Sequence, residues 1–155
     1  MINISQYLKE EAIILDLKAG DKAECIRTLS QALKGHAQIS DFDGFLNDVF
    51  ERENLGTTGI GFGLGLPHAR SRSIGSFVIA IGRIDKGIDF KSLDGEPVKL
   101  VFLMGTPKDE VQNYLKILAH LTRLLKQETF RSALLQAATP AEIIEIFKKE
   151  EAAPA

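Results

Sequence analysis

Three histidines occur in the chain, at positions 36, 68 and 120, and one of them sits where covalent chemistry could be done. His68 follows Gly65-Leu66-Pro67, and Arg70 and Arg72 come soon after it. Proline fixes its own φ and confines Leu66 to extended geometry, so the backbone reaches His68 in a set direction. Neutral imidazole is a nucleophile near pH 7, and a guanidinium can grip phosphate oxygens through paired donors. The same residues also suit a histidine tucked at a strand end and hydrogen-bonded to backbone. His36 comes directly after the helix stop Gly35 and reads as a solvated loop residue. His120 falls just outside a broad apolar stripe that includes Val111, Tyr114, Ile117, Leu121 and Leu124. It either faces solvent or points into a polar pocket beside the sheet. Arg52 stands in the last turn of a helix, where a cation offsets the helix dipole, so a purely structural reading suffices for it.

Several other chemistries have no residues to carry them. The glycines run Gly-x-Gly-x-Gly, without the Gly-x-Gly-x-x-Gly of a dinucleotide site, and no Gly-Lys-Ser/Thr phosphate loop follows. There are no paired cysteines, no HExxH and no aspartate-rich loop, so no metal or other cofactor is expected. Gly-x-Ser-x-Gly is absent, and Ser71 and Ser73 have nothing to form a triad with. Phosphoryl chemistry that needs neither metal nor nucleotide remains, with His68 as the natural acceptor.

The elements that would position His68 follow from periodicity and punctuation. Ile13–Leu15 reads as a first strand ending at Asp16, and Asp21 caps a helix through Leu33 that stops at Gly35. Ser40 or Asp41 opens a second helix, which Gly56 ends. From Gly59 to Leu66 glycine alternates with Ile60, Phe62, Leu64 and Leu66, which in one extended strand would give a bare face and an apolar face. Glycine so dense in a strand suggests that something approaches the bare backbone closely. Phe77–Ile84 and Val98–Met104 read as strands buried on both faces, with Asp94-Gly95 a turn and a short edge strand around Ile88 and Phe90. Helices are expected from Lys108 to about Lys126, over Thr129–Gln136, and from Thr139-Pro140 through Phe147.

These elements predict a single α/β domain over residues 1–150, a mixed central β-sheet flanked by helices on both sides. Residues 151–155 are expected to form a disordered tail. With 45% hydrophobic and 26% charged residues the chain can build a core rather than stay disordered. A net charge of −2 with interspersed signs argues against nucleic acid or an anionic membrane as partner. The apolar runs are too short to span a bilayer, the N-terminus lacks a signal-peptide pattern, and the single cysteine fits a reducing compartment. A cytoplasmic protein without membrane insertion is the expectation.

The run from Glu53 to Ala69, ENLGTTGIGFGLGLPHA, resembles the phosphorylation-site signature of the enzyme IIA components of the bacterial sugar phosphotransferase system. It is the mannitol/fructose class, which also includes nitrogen-regulatory IIA proteins, and the resemblance covers almost the whole chain. It implies a phosphorylated histidine at His68, a second active-site histidine at His120 and an arginine at Arg52, converging on one shallow surface pocket. It further implies an HPr-type phosphocarrier as donor and either a IIB component, for sugar uptake, or a regulated protein as acceptor. Two positions depart from the family: Gly65 stands where alanine is usual, and Phe62 where a polar residue is common. A third reading, a hydrolase using two histidines and an arginine for acid–base catalysis, lacks the support of that signature.

Overall fold

The computed structural model describes residues 2–153. Its framework is a pair of long antiparallel strands, β5 (Val78–Ile88) and β6 (Val98–Pro107), with Ile79 opposite Met104 and Ile81 opposite Phe102. β1 (Ile13–Ile14) lies parallel to β5. On the other side β3 (Leu64–Gly65) and β4 (His68–Ser71) both run parallel to β6, and β2 (Gly59–Gly61) pairs antiparallel with β3. The result is a mixed six-stranded sheet in the order β1-β5-β6-β3-β2, with β4 also on β6.

Alternation along the two central strands divides the core. Ile79, Ile81, Phe102 and Met104 pack with residues of α3 (Val111–Leu125), α4 (Glu128–Gln136) and α5 (Pro140–Ala152). Val78, Ala80, Val101 and Leu103 pack on the opposite face with α1 (Lys22–Ser30) and α2 (Phe42–Leu55). Helices therefore cover both faces, as the doubly apolar strands require. Asp21, Asp41 and Thr139 cap α1, α2 and α5, each side chain accepting from the N–H three residues on. Among the described residues no helix is long and apolar enough to cross a membrane.

Four local expectations need correction. The glycine-rich run is a hairpin rather than one strand: Phe62 (φ 58°) and Gly63 (φ 76°) occupy its turn, with Gly61 at φ 95°. Two-residue hairpins favour positive φ at both central positions because that matches the strand twist. The segment at Ile88 and Phe90 is no separate edge strand, since Ile88 ends β5 and Phe90 is fully buried. Its ring is what approaches the bare glycine backbone: a Cβ on Gly65 would lie 2.8 Å from it. The long helix starts at Val111 rather than Lys108, after a turn closed by Glu110 N–H donating to the Pro107 carbonyl. Finally, the tail does not begin at 151: Glu151 and Ala152 complete α5, and residues 154 and 155 lie outside the described residues.

Candidate functional site

β3 and β4 are successive segments on the same neighbour, β6, separated only by Leu66 and Pro67. The Pro67 carbonyl accepts from Met104 N–H at 3.0 Å, and His68 then pairs with Met104 in register. This anchoring fixes the backbone of His68 against β6, one of the two central strands of the sheet.

His68 is 8% exposed, and its ring is held at both nitrogens. Nδ1 lies 2.6 Å from the Leu66 carbonyl oxygen, and Nε2 lies 3.1 Å from the Tyr114 hydroxyl. A carbonyl can only accept, so Nδ1 carries the proton and Nε2 the lone pair. Burial holds the ring below its ordinary pKa of 6.5; the Leu66 carbonyl opposes this, Arg52 adds to it, and the Glu53 carboxylate opposes it. His68 is therefore a neutral imidazole near pH 7 with Nε2 available as nucleophile.

Around it opens a cleft of about 800 Å³. Asp48, Glu51, Arg52 and Leu55 reach it from one face of α2, as spacings of three and four require. Arg70, Arg72 and Lys108 bring three further cations, and Tyr114 closes the α3 side. Arg52 donates from one guanidinium nitrogen to the Gly56 carbonyl at 2.9 Å, which ties it to the end of its own helix. Arg70 donates to the Lys108 carbonyl at 3.3 Å, and its guanidinium stands 5.5 Å from the centre of the Tyr114 ring. Leu55 is 86% exposed at the cleft margin, an apolar side chain left uncovered beside charged ones.

Of the three residues expected to converge, His68 and Arg52 line this cleft together and His120 does not. His120 comes six residues after Tyr114 on α3, about 9 Å further along the axis and roughly 240° around it. Its Nε2 lies 2.7 Å from a carboxylate oxygen of Glu151, and Arg123 donates to its Nδ1 at 2.9 Å. The same carboxylate accepts from the backbone N–H groups of Ile4, at 2.6 Å, and Ser5, at 2.9 Å. Burial alone would push the Glu151 carboxyl up, but these donors together hold it below its ordinary 4.5. His120 thus joins α3 to α5 and to the N-terminal segment, and it does not converge on His68 as expected.

Two residues went unassigned in the sequence. Tyr114 reads there only as part of the apolar stripe on α3, because a tyrosine carries both an apolar ring and a polar tip. Glu53 is 5% exposed and accepts from Thr58 N–H at 2.8 Å, from the Thr58 hydroxyl, and from Lys22 Nζ at 3.2 Å. It binds the end of α2 to the start of β2, and so holds the short Gly56-Thr57 link on which Arg52 rests. A carboxylate between Arg52 and a glycine-rich run, five residues before a threonine, was the available signal.

No group of three or more His, Cys, Asp or Glu positioned for a metal occurs among the described residues. With its cations set around one neutral imidazole, the cleft is suited to a small, multiply charged anionic group.

A protein-family model described as phosphoenolpyruvate-dependent sugar phosphotransferase system, EIIA 2, matches residues 6–150. The chain belongs to this family. It is 35% identical over 135 residues to the fructose-specific EIIA component of Haloferax volcanii, covering 87% of this chain and 88% of that one. It is also 32% identical over 150 residues to the fructose-specific EIIABC component of Bacillus subtilis, of whose length it spans 24%. Among solved structures, nitrogen regulatory protein IIA-Ntr of Neisseria meningitidis superposes with a TM-score of 0.86 at 26% identity, covering 93% of this chain and 98% of that one. The IIAMTL structure from Escherichia coli, determined in complex with phosphorylated IIBMTL, shares the fold, with a TM-score of 0.79 at 20% identity over 92% of this chain and 97% of that one.

Proposed function

We propose that this EIIA 2 family member is a phosphocarrier in which Nε2 of His68 takes a phosphoryl group from an HPr-type phosphohistidine and passes it to a second protein. The observation that carries the reading is the state of one ring: Nδ1 committed to the Leu66 carbonyl and Nε2 beside a cleft rich in cations. Neutral imidazole attacks phosphorus in line, the donor's N–P bond breaks, and its electron pair returns to the donor ring. His68 keeps its Nδ1 proton on the Leu66 carbonyl, so the phosphorylated ring is cationic and leaves readily as neutral imidazole in the next transfer. Such chemistry consists of positioning and charge stabilisation. Arg52 is placed to hold phosphoryl oxygens, with Arg70, Arg72 and Lys108 contributing charge. The exposed Leu55 and the open cleft leave room for a protein surface rather than a free small substrate.

For the acceptor, the fructose-specific relatives and the fold shared with IIAMTL support a IIB component, leading to sugar uptake. The likeness to IIA-Ntr supports a second reading, in which phosphorylation adds roughly two negative charges to the cleft and so selects a regulated partner. Incubation with phosphoenolpyruvate, enzyme I and HPr, followed by intact mass, tests the carrier chemistry. One acid-labile phosphoryl group on the wild type and none on His68→Ala is expected. Equal labelling of His68→Ala would overturn the assignment. Phosphoryl transfer onward to purified fructose-type IIB separates the transport reading from the regulatory one.

A further inference from the structure

Given that carrier role, on which this inference rests, we propose that Tyr114 is a catalytic residue of the transfer: its hydroxyl caps the Nε2 lone pair at rest and passes to a phosphoryl oxygen as the new bond forms. The resting contact follows from the hydrogen-bond inventory of the ring. Nδ1 donates to Leu66 and the ring is neutral, so Nε2 can only accept, and the phenol 3.1 Å away must be the donor. Phosphorus has to approach along the same lone pair. The hydroxyl therefore stands where the incoming group must bond, and it has to leave that position.

The displaced donor does not go unpartnered. The arriving phosphoryl group carries three acceptor oxygens beside Nε2, within reach of a hydroxyl that began at hydrogen-bond distance from that nitrogen. A neutral hydrogen bond is exchanged for a charge-assisted one, which is the stronger kind. Arg70, 5.5 Å over the phenol ring, strengthens the O–H as a donor and packs on the ring face, while the ring lies tilted at 40° to His68 with centroids 5.6 Å apart. Throughout the step the phenol keeps its proton and Nδ1 keeps its own. One N–P bond breaks on the donor, one forms on Nε2, and no proton crosses. A phenol serves here because its O–H can donate a hydrogen bond to the phosphoryl group without a proton being transferred.

Tyr114→Phe is the test, since it keeps the ring, its packing and the Arg70 contact and removes only the hydroxyl. Two readouts apply. Without any phosphodonor, the His68 titration midpoint followed by ¹⁵N NMR should rise, because a bond that favours the neutral ring has been removed. With phospho-HPr, kcat should fall about tenfold with KM little changed, the signature of a donor used in the transition state. Unchanged kcat in Tyr114→Phe, with wild type phosphorylated on His68, would overturn the catalytic role while leaving the carrier reading intact. A change confined to KM would overturn it too, making Tyr114 a docking residue. Failure of the wild type to accept phosphate would remove the carrier reading and this inference with it.

Discussion

Separating His120 from the chemistry gives the sharpest consequence of the site geometry. Glu151→Ala would remove a carboxylate whose side chain is 1% exposed and would leave the Ile4 and Ser5 N–H groups and the His120 ring without their acceptor. Leaving buried donors without their acceptor costs about 1–3 kcal/mol for each group, and the partial exposure of this site puts the total at about 3 kcal/mol. An unfolding entropy of about 2.1 cal/mol/K per residue gives about 0.33 kcal/mol/K for 155 residues, so the melting temperature should fall by about 9 °C. His120→Ala leaves the two backbone bonds in place and should lose less, about 1–2 kcal/mol. The sign with pH is fixed by the depressed Glu151 carboxyl: its contribution is present above 4.5 and is lost as pH falls through the lower folded value. Wild type and Glu151→Ala should therefore converge in acid. Thermal unfolding of all three proteins at pH 7 and at successively lower pH measures this, alongside phosphoryl acceptance. The reasoning is refuted if His120→Ala unfolds like the wild type yet no longer accepts phosphate.

Three further outcomes follow from the same geometry. The His68 midpoint in an NMR titration should lie below 6.5; stability from keeping the ring neutral is then present above 6.5 and declines as pH falls from there towards the folded value, and a midpoint at or above 6.5 would contradict the burial argument. Arg52→Gln should slow phosphoryl transfer by about 10²-fold with little loss of stability, and a rate within twofold of wild type would remove Arg52 from the mechanism. Gly65→Ala, although alanine is usual there in the family, should destabilise by about 1–3 kcal/mol in urea unfolding because its Cβ meets the buried Phe90 ring, and Phe90→Leu in the same chain should recover part of that loss.

Much of the scaffold was legible because it obeys local rules. Asp21 and Thr139 cap the helices they were expected to cap, Asp41 proves to be the cap where Ser40 or Asp41 was expected, and Val98–Met104 reads as a doubly buried strand from its nearly continuous apolar run. Pro67 marks the break before His68, but His68 opens β4, a strand the sequence did not announce, rather than following the end of one. What was missed depends on partners distant in the chain. His120 finds its carboxylate 31 residues later, in a segment whose composition suggests fraying. Phe90 fills the bare face of a glycine run 25 residues before it, so its apolar neighbourhood reads misleadingly as a small strand. The hairpin needs Phe62 at positive φ, a geometry that alternation of residue types does not reveal. Tyr114 lies within an apolar stripe on α3, and only the three-dimensional path of β4 brings its hydroxyl to Nε2.

The most direct test of the account is the site of the phosphoryl bond. Protein labelled with ¹⁵N in its histidines and phosphorylated through HPr should show phosphorus bonded to Nε2 of His68, its Nδ1 still protonated, with His36 and His120 unchanged. Phosphorus on Nδ1 of His68, or on either of the other two histidines, would contradict it.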